Sequence, residues 1–129
     1  MKTLKLFLLS ACIFCAIPML VAQTVEVPNV ILTALNNGDA SQISNYLNSN
    51  VELFIENKND VFSKVQATQI IADFFRKNHV ASFQLLHKGN KDAASFAIGT
   101  LKTATGNFRL YVLTRKNEIQ QLRIEPSND

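Results

Sequence analysis

From Val80 to Glu125 apolar and polar residues alternate with a period of two, through four runs separated by short turn signals. Few arrangements satisfy such a pattern: consecutive strands with short connections pair as antiparallel neighbours in a meander. The runs are 80–88, 93–103, 107–115 and 118–125. Asn90-Lys91 and Lys116-Asn117 suit two-residue turns, and Ala104-Thr105-Gly106 suits a three-residue loop with glycine in the left-handed position. These turns set a register that pairs Leu85 with Phe96, Ile98 with Val112 and Thr103 with Asn107. One sheet face then carries Phe83, Leu85, Phe96, Ile98, Phe108, Leu110 and Val112. The other carries Gln84, Ala97, Gly99, Tyr111, Leu113 and Arg123.

The last run breaks the alternation. Ile119, Leu122 and Ile124 share a face only if one extra residue is inserted after Ile119, which predicts a β-bulge at Gln120-Gln121. That insertion also sets Arg115 opposite Glu118 and Arg109 opposite Glu125, two cross-strand pairs of opposite charge.

Ahead of the meander the period is helical. Val30, Ile31, Ala34 and Leu35 follow Pro28 and stop at Asn37-Gly38, which predicts a short first helix. Asp39 with Gln42 three residues on is a capping-box pattern, placing a second helix over Ile43, Tyr46 and Leu47. Val51, Leu53 and Ile55 alternate with Glu52, Phe54 and Glu56, and 57–60 turn into a short return strand to Lys64, giving a small hairpin. A third helix presents Ala67, Ile70, Ile71, Phe74, Phe75 and Asn78 on one stripe, with Asp73 and Lys77 paired outside. The fold class is therefore α+β: three N-terminal helices and a hairpin packed on a four-stranded antiparallel meander.

The first residues read as an export signal. Lys2 and Lys5 precede an apolar run from Leu6 to Val21 that is too short for a comfortable membrane span, and Ala22 is placed to precede a cut. Leu9-Ser10-Ala11-Cys12 resembles a lipoprotein box, but only three apolar residues, Leu6, Phe7 and Leu8, separate it from Lys5 and the apolar run continues beyond it, which favours cleavage over lipid attachment. The prediction is residues 1–22 as signal peptide and 23–129 as one domain, exported to the periplasm or secreted, with no membrane span after processing. The formal net charge of +3 includes both leader lysines, so the remaining domain is nearly neutral. Its surface has no basic stripe for nucleic acid. Both cysteines, Cys12 and Cys15, belong to the leader, so the domain stands on packing without a disulfide or a thiol nucleophile.

The run Ala34-Leu35-Asn36-Asn37-Gly38-Asp39-Ala40, followed by Ile43, Tyr46, Val51-Glu52-Leu53 and the stripe Ala67 to Phe75, resembles the nuclear transport factor 2-like superfamily, and in particular small exported bacterial domains of unknown function. The resemblance spans nearly all of 23–129. It implies a strongly curved sheet wrapped around the helices as a cone, open to a ligand in some members and filled in others, with dimerisation through the outer sheet face in many. Members similar to steroid isomerases use a first-helix tyrosine and carboxyl groups inside the cone. Here Tyr46 falls on the second helix, and Glu52 and Glu56 fall on the polar side of their strand, so that chemistry does not carry over. His79 ends a helix and His87 ends a strand, without ligand-spaced partners. No enzyme activity, metal or cofactor is expected.

Function is then sought on the sheet faces. The helix-facing side reads as a filled core, since each buried apolar side chain stabilises by roughly 1.5 to 3 kcal/mol and a small domain can spare few. The opposite face sets Tyr111, Leu113 and Arg123 beside the small residues Ala97 and Gly99, with Gln84 next to them, which is interface composition. The expectation is a noncatalytic exported domain that associates through this face, as a homodimer or with an envelope protein. A binder of a small apolar ligand in the cone interior is the alternative.

Overall fold

A computed structural model describes residues 25–127. The signal-peptide and cleavage expectations fall on residues outside that range. Helix α1 (Asn29–Asn37) starts behind Pro28, whose carbonyl accepts from Ile31 N at 3.0 Å. It ends at Gly38 in the left-handed conformation, φ 61°, where a Cβ would come within 2.8 Å of Val80. Helix α2 (Ala40–Ser44) is capped by the Asp39 carboxylate, which accepts from Gln42 N at 3.1 Å.

The second helix is shorter than the sequence pattern predicts. It stops at Ser44 because Leu47 already opens strand β1 (Leu47–Ile55), where it pairs with Ile119. Strand β2 (Lys58–Ser63) returns antiparallel to β1. Helix α3 (Lys64–Lys77) begins with a reciprocal capping box between Ser63 and Gln66, and buries Ala67, Ile71, Phe74 and Phe75. On its outer side the Asp73 carboxylate meets Lys77 Nζ at 3.2 Å and also Arg76. The bonded Lys77 ammonium holds the Asp73 carboxyl below its ordinary range.

The meander follows as β3 (Val80–Lys91), β4 (Ala94–Thr103), β5 (Gly106–Arg115) and β6 (Glu118–Pro126). The hairpin does not stand apart from it. β1 pairs parallel with β6, through Leu53↔Leu122 and Ile55↔Ile124 among others, so all strands form one six-stranded mixed sheet in the order β2-β1-β6-β5-β4-β3. This corrects the expected four-stranded antiparallel sheet. The β1/β6 join buries Val51, Leu53 and Ile55 alongside Leu122 and Ile124, which an isolated hairpin would leave in water.

Helices α1 and α3 cover one face, against β3 and β1 respectively. The core between helices and sheet includes Ile31, Leu35, Ile43, Leu53, Ile71, Leu101, Leu110 and Leu122. The buried polar side chains there are paired. Ser95 Oγ donates to Asn90 Oδ1 at 2.9 Å, Thr114 Oγ1 to the Ser95 carbonyl at 3.4 Å, and Asn78 Nδ2 to the Phe74 carbonyl at 2.9 Å.

Two turns differ from expectation, and one difference decides which side chains face where. The β3–β4 turn is Asp92-Ala93, two residues later than Asn90-Lys91, with both residues at positive φ. The β4–β5 connection is the two-residue turn Ala104-Thr105, so Thr103 pairs with Gly106. The Thr103 hydroxyl tightens it, accepting from Thr105 N at 3.2 Å and donating to the Gly106 carbonyl at 2.7 Å. Shortening the loop by one residue shifts the β4–β5 register by one, to Ile98↔Tyr111 and Ala97↔Val112. A one-residue slip exchanges the faces of a strand. Phe96 and Ile98 therefore leave the helix side, and Ala97, Gly99 and Leu101 take it.

The bulge in β6 is present. Leu113 pairs with Gln121 and Thr114 with Ile119, leaving Gln120 as the extra residue, and Ile119 is fully buried. Arg115 stands opposite Glu118 and Arg109 opposite Glu125, as the charges predict.

Candidate functional site

The face turned away from the helices is built from three rows that cross the strands. Phe54, Arg123, Tyr111, Ile98 and His87 form the central row, each paired with the next. Glu52, Gln121, Leu113, Phe96 and Gly89 form the row on one side; Glu125, Arg109, Thr100 and Gln84 form the row on the other. Of the six residues expected on this face, Gln84, Tyr111, Leu113 and Arg123 are there. Ala97 and Gly99 are not: the β4–β5 slip places both in the helix-side core, fully buried.

Their replacements make the face more apolar than expected. Phe96 and Ile98 sit beside Leu113 and Tyr111, all half-buried, and the Phe96 and Tyr111 rings stack at 6.2 Å with planes 22° apart. Phe96 also covers Gly89, where a Cβ would lie 2.7 Å from its ring. Phe54 extends the patch onto β1. Its place was written in the alternation of 51–56, but a phenylalanine between two glutamates reads there as an odd member of a solvated face.

A groove of about 410 Å³ runs through the centre of this face, lined by Ile98, Arg109, Tyr111, Gln121, Arg123 and Glu125. The Arg123 guanidinium carbon lies 4.4 Å from the centre of the Phe54 ring. Its Nε is 3.6 Å from Glu125 Oε1, beyond hydrogen-bond reach, and is the buried side-chain nitrogen without a partner among the described residues. Arg109, opposite Glu125 in the ladder, makes no side-chain ion pair among the described residues; Glu125 turns to Arg123 instead.

The histidines lie apart from one another. His79 follows α3 and its carbonyl accepts from Ala104 N at 2.9 Å, whereas His87 sits on edge strand β3 with its ring 5.6 Å from Phe96. Tyr46 packs against the helix-side core, and Glu52 and Glu56 are exposed. Among the described residues no three His, Cys, Asp or Glu side chains gather as a metal site.

The family model for a domain of unknown function, DUF4783, matches residues 28–125, which takes in every element of this fold but the last residue of β6. The chain belongs to the DUF4783 family. A DUF4783 protein from Bacteroides ovatus, known at 1.40 Å resolution, is 35% identical and superposes with a TM-score of 0.75, covering 81% of this chain and 98% of the other. More distant neighbours share the fold at low identity. A protein described as "Rd1NTF2_04 with long sheet" aligns at 15% identity and TM-score 0.58, covering 74% of this chain and 94% of the other. A putative polyketide cyclase from Sinorhizobium meliloti aligns at 10% identity and TM-score 0.59, covering 75% and 91%. At such identities the likeness shows the fold alone. No curated protein matches.

Proposed function

We propose that this DUF4783 protein is a noncatalytic exported domain that associates with a second copy through the outer face of its sheet. The observation that carries the reading is the composition of that face: Phe96, Ile98, Tyr111 and Leu113 form an apolar patch on the adjacent strands β4 and β5, and Arg123 of β6 links it to Phe54 on β1. A solvated antiparallel face alternates to polar residues, whereas interface centres concentrate aromatic residues and arginine. The charges at the edge of the patch favour a second copy. Arg109 and Glu125 lie opposite each other in one row on adjacent strands, so a two-fold axis parallel to the strands, between β5 and β6, sets each copy's arginine toward the other's glutamate.

With strands about 4.8 Å apart, five strands and three rows give a footprint of roughly 500 Å² per copy, at the small end of specific interfaces. A footprint of that size is typical of weak, transient association, which sets the concentration of the test. Sedimentation of the wild type at tens of micromolar should show a dimer, and Leu113→Asp should be monomeric at the same concentration with its melting temperature nearly unchanged. A wild type that stays monomeric refutes self-association. A variant that melts far earlier places Leu113 in the core and removes the patch.

A further inference from the structure

The outer-face groove holds an arginine fixed in place, with a second arginine and one carboxylate beside it. Stacking on Phe54 at 4.4 Å fixes the Arg123 guanidinium, and its buried Nε is turned to the Glu125 carboxylate at 3.6 Å, an ion pair too long for a hydrogen bond. The side chain as a whole is 43% exposed although Nε is buried, and it lines the groove, so the remainder of the guanidinium is what a ligand can reach. Arg109, Tyr111 and Gln121 line the same 410 Å³ space, adding a second arginine and two neutral polar side chains. Glu125 is the one carboxylate among the lining residues, and two guanidiniums outweigh it. The floor is apolar, from Ile98 and the Tyr111 ring, which are cross-strand partners.

A guanidinium fork matches a carboxylate in two parallel hydrogen bonds, and a fixed fork loses less entropy on pairing than a free one. A volume in this range suits a small molecule. We propose that the groove binds a small amphipathic carboxylate, its charged group on Arg123 and Arg109 and its apolar body on Ile98 and Tyr111. All of its lining residues belong to one copy, so the site exists in the monomer; a second copy seated on the same face would cover it, and association and the ligand therefore compete.

Transverse relaxation of the ¹⁹F signal of 4-fluorobenzoate tests this directly, at protein concentrations below any association midpoint found by sedimentation. 4-Fluorobenzyl alcohol serves as the uncharged match. The benzoate should bind and the alcohol should bind at least about tenfold more weakly, the ratio a charge-assisted pair supplies. Arg123→Gln and Arg109→Gln, each with a melting curve to show that it folds, should each weaken benzoate binding without affecting the alcohol. Glu125→Gln should tighten it by removing the competing carboxylate. Equal binding of acid and alcohol, unchanged binding in folded Arg123→Gln, or no binding of the acid up to about 10 mM overturns the proposal. A wild type that proves monomeric leaves the test intact, so the two readings fail separately.

Discussion

Gly99 shows how much a single missing side chain decides. It lies on the helix-side face of β4, where a Cβ would stand 2.3 Å from the Gln84 carbonyl oxygen and 2.6 Å from the Phe83 ring. Backbone on one side and a core ring on the other leave no soft neighbour to move. Gly99→Ala should therefore cost about 1–3 kcal/mol in urea unfolding, as overpacking does. At Gly89 the obstacle is the far end of the Phe96 side chain, 2.7 Å away on the outer face, and a ring at a half-buried surface can swing aside. Gly89→Ala should cost clearly less; equal losses would mean that Phe96 is held as firmly as the core. The sequence placed Gly99 beside Tyr111 as an opening for another sheet, when its smallness serves this chain's own β3. A bare glycine states that something comes close, but not from which face.

At the level of elements, most of the order was legible because local chemistry and burial agree. Pro28 and Gly38 bound α1, the stripe from Ala67 to Phe75 is α3, and the misfit of Ile119 with Leu122 located the β6 bulge. The misses share a cause: turns held by something other than the usual turn residue. Thr103 closes the β4–β5 turn with its hydroxyl, so Gly106 drew the reading one residue too far. In the β3–β4 turn Asp92 and Ala93 take φ of 51° and 65°. Alanine pays for the left-handed region with Cβ crowding, and nothing in its identity announces the turn. Ala93→Gly creates the Asp-Gly pair that such hairpins favour, and should stabilise the protein by about 0.5–1 kcal/mol in urea unfolding, strain relief exceeding the greater freedom of the unfolded chain. Loss of stability there would mean that the turn carries no strain. The outer patch was half legible for the same reason: Tyr111, Leu113 and Arg123 lie on β5 and β6, whose Lys116-Asn117 turn was read correctly, whereas Phe96 and Ile98 depend on the turn that was not.

For the whole molecule, the pairing least visible in the sequence is the parallel one between β1 and β6, which connects the first strand to the last and has no turn to announce it. It also determines how the protein opens. β6 has ladder partners on both sides, β1 and β5, while β2 and β3 form the edges. Were the hairpin a separate unit, as the sequence pattern suggests, β1 and β2 would open together and leave the meander intact. In the six-stranded sheet β1 instead shares its buried face with β6, through Leu53, Ile55, Leu122 and Ile124, and its release exposes the centre of the core. Sub-global opening follows such contact boundaries, and edges exchange before centres. Native-state hydrogen exchange should accordingly find the amides of β1, β5 and β6 exchanging together at the slowest, global rate, with β2 and the exposed length of β3 faster. The comparison between β1 and β2 is the decisive one, since the same hairpin joins them. If β1 exchanges with β2 and well ahead of β5, the parallel pairing contributes little, and the domain is a meander with a loosely attached hairpin.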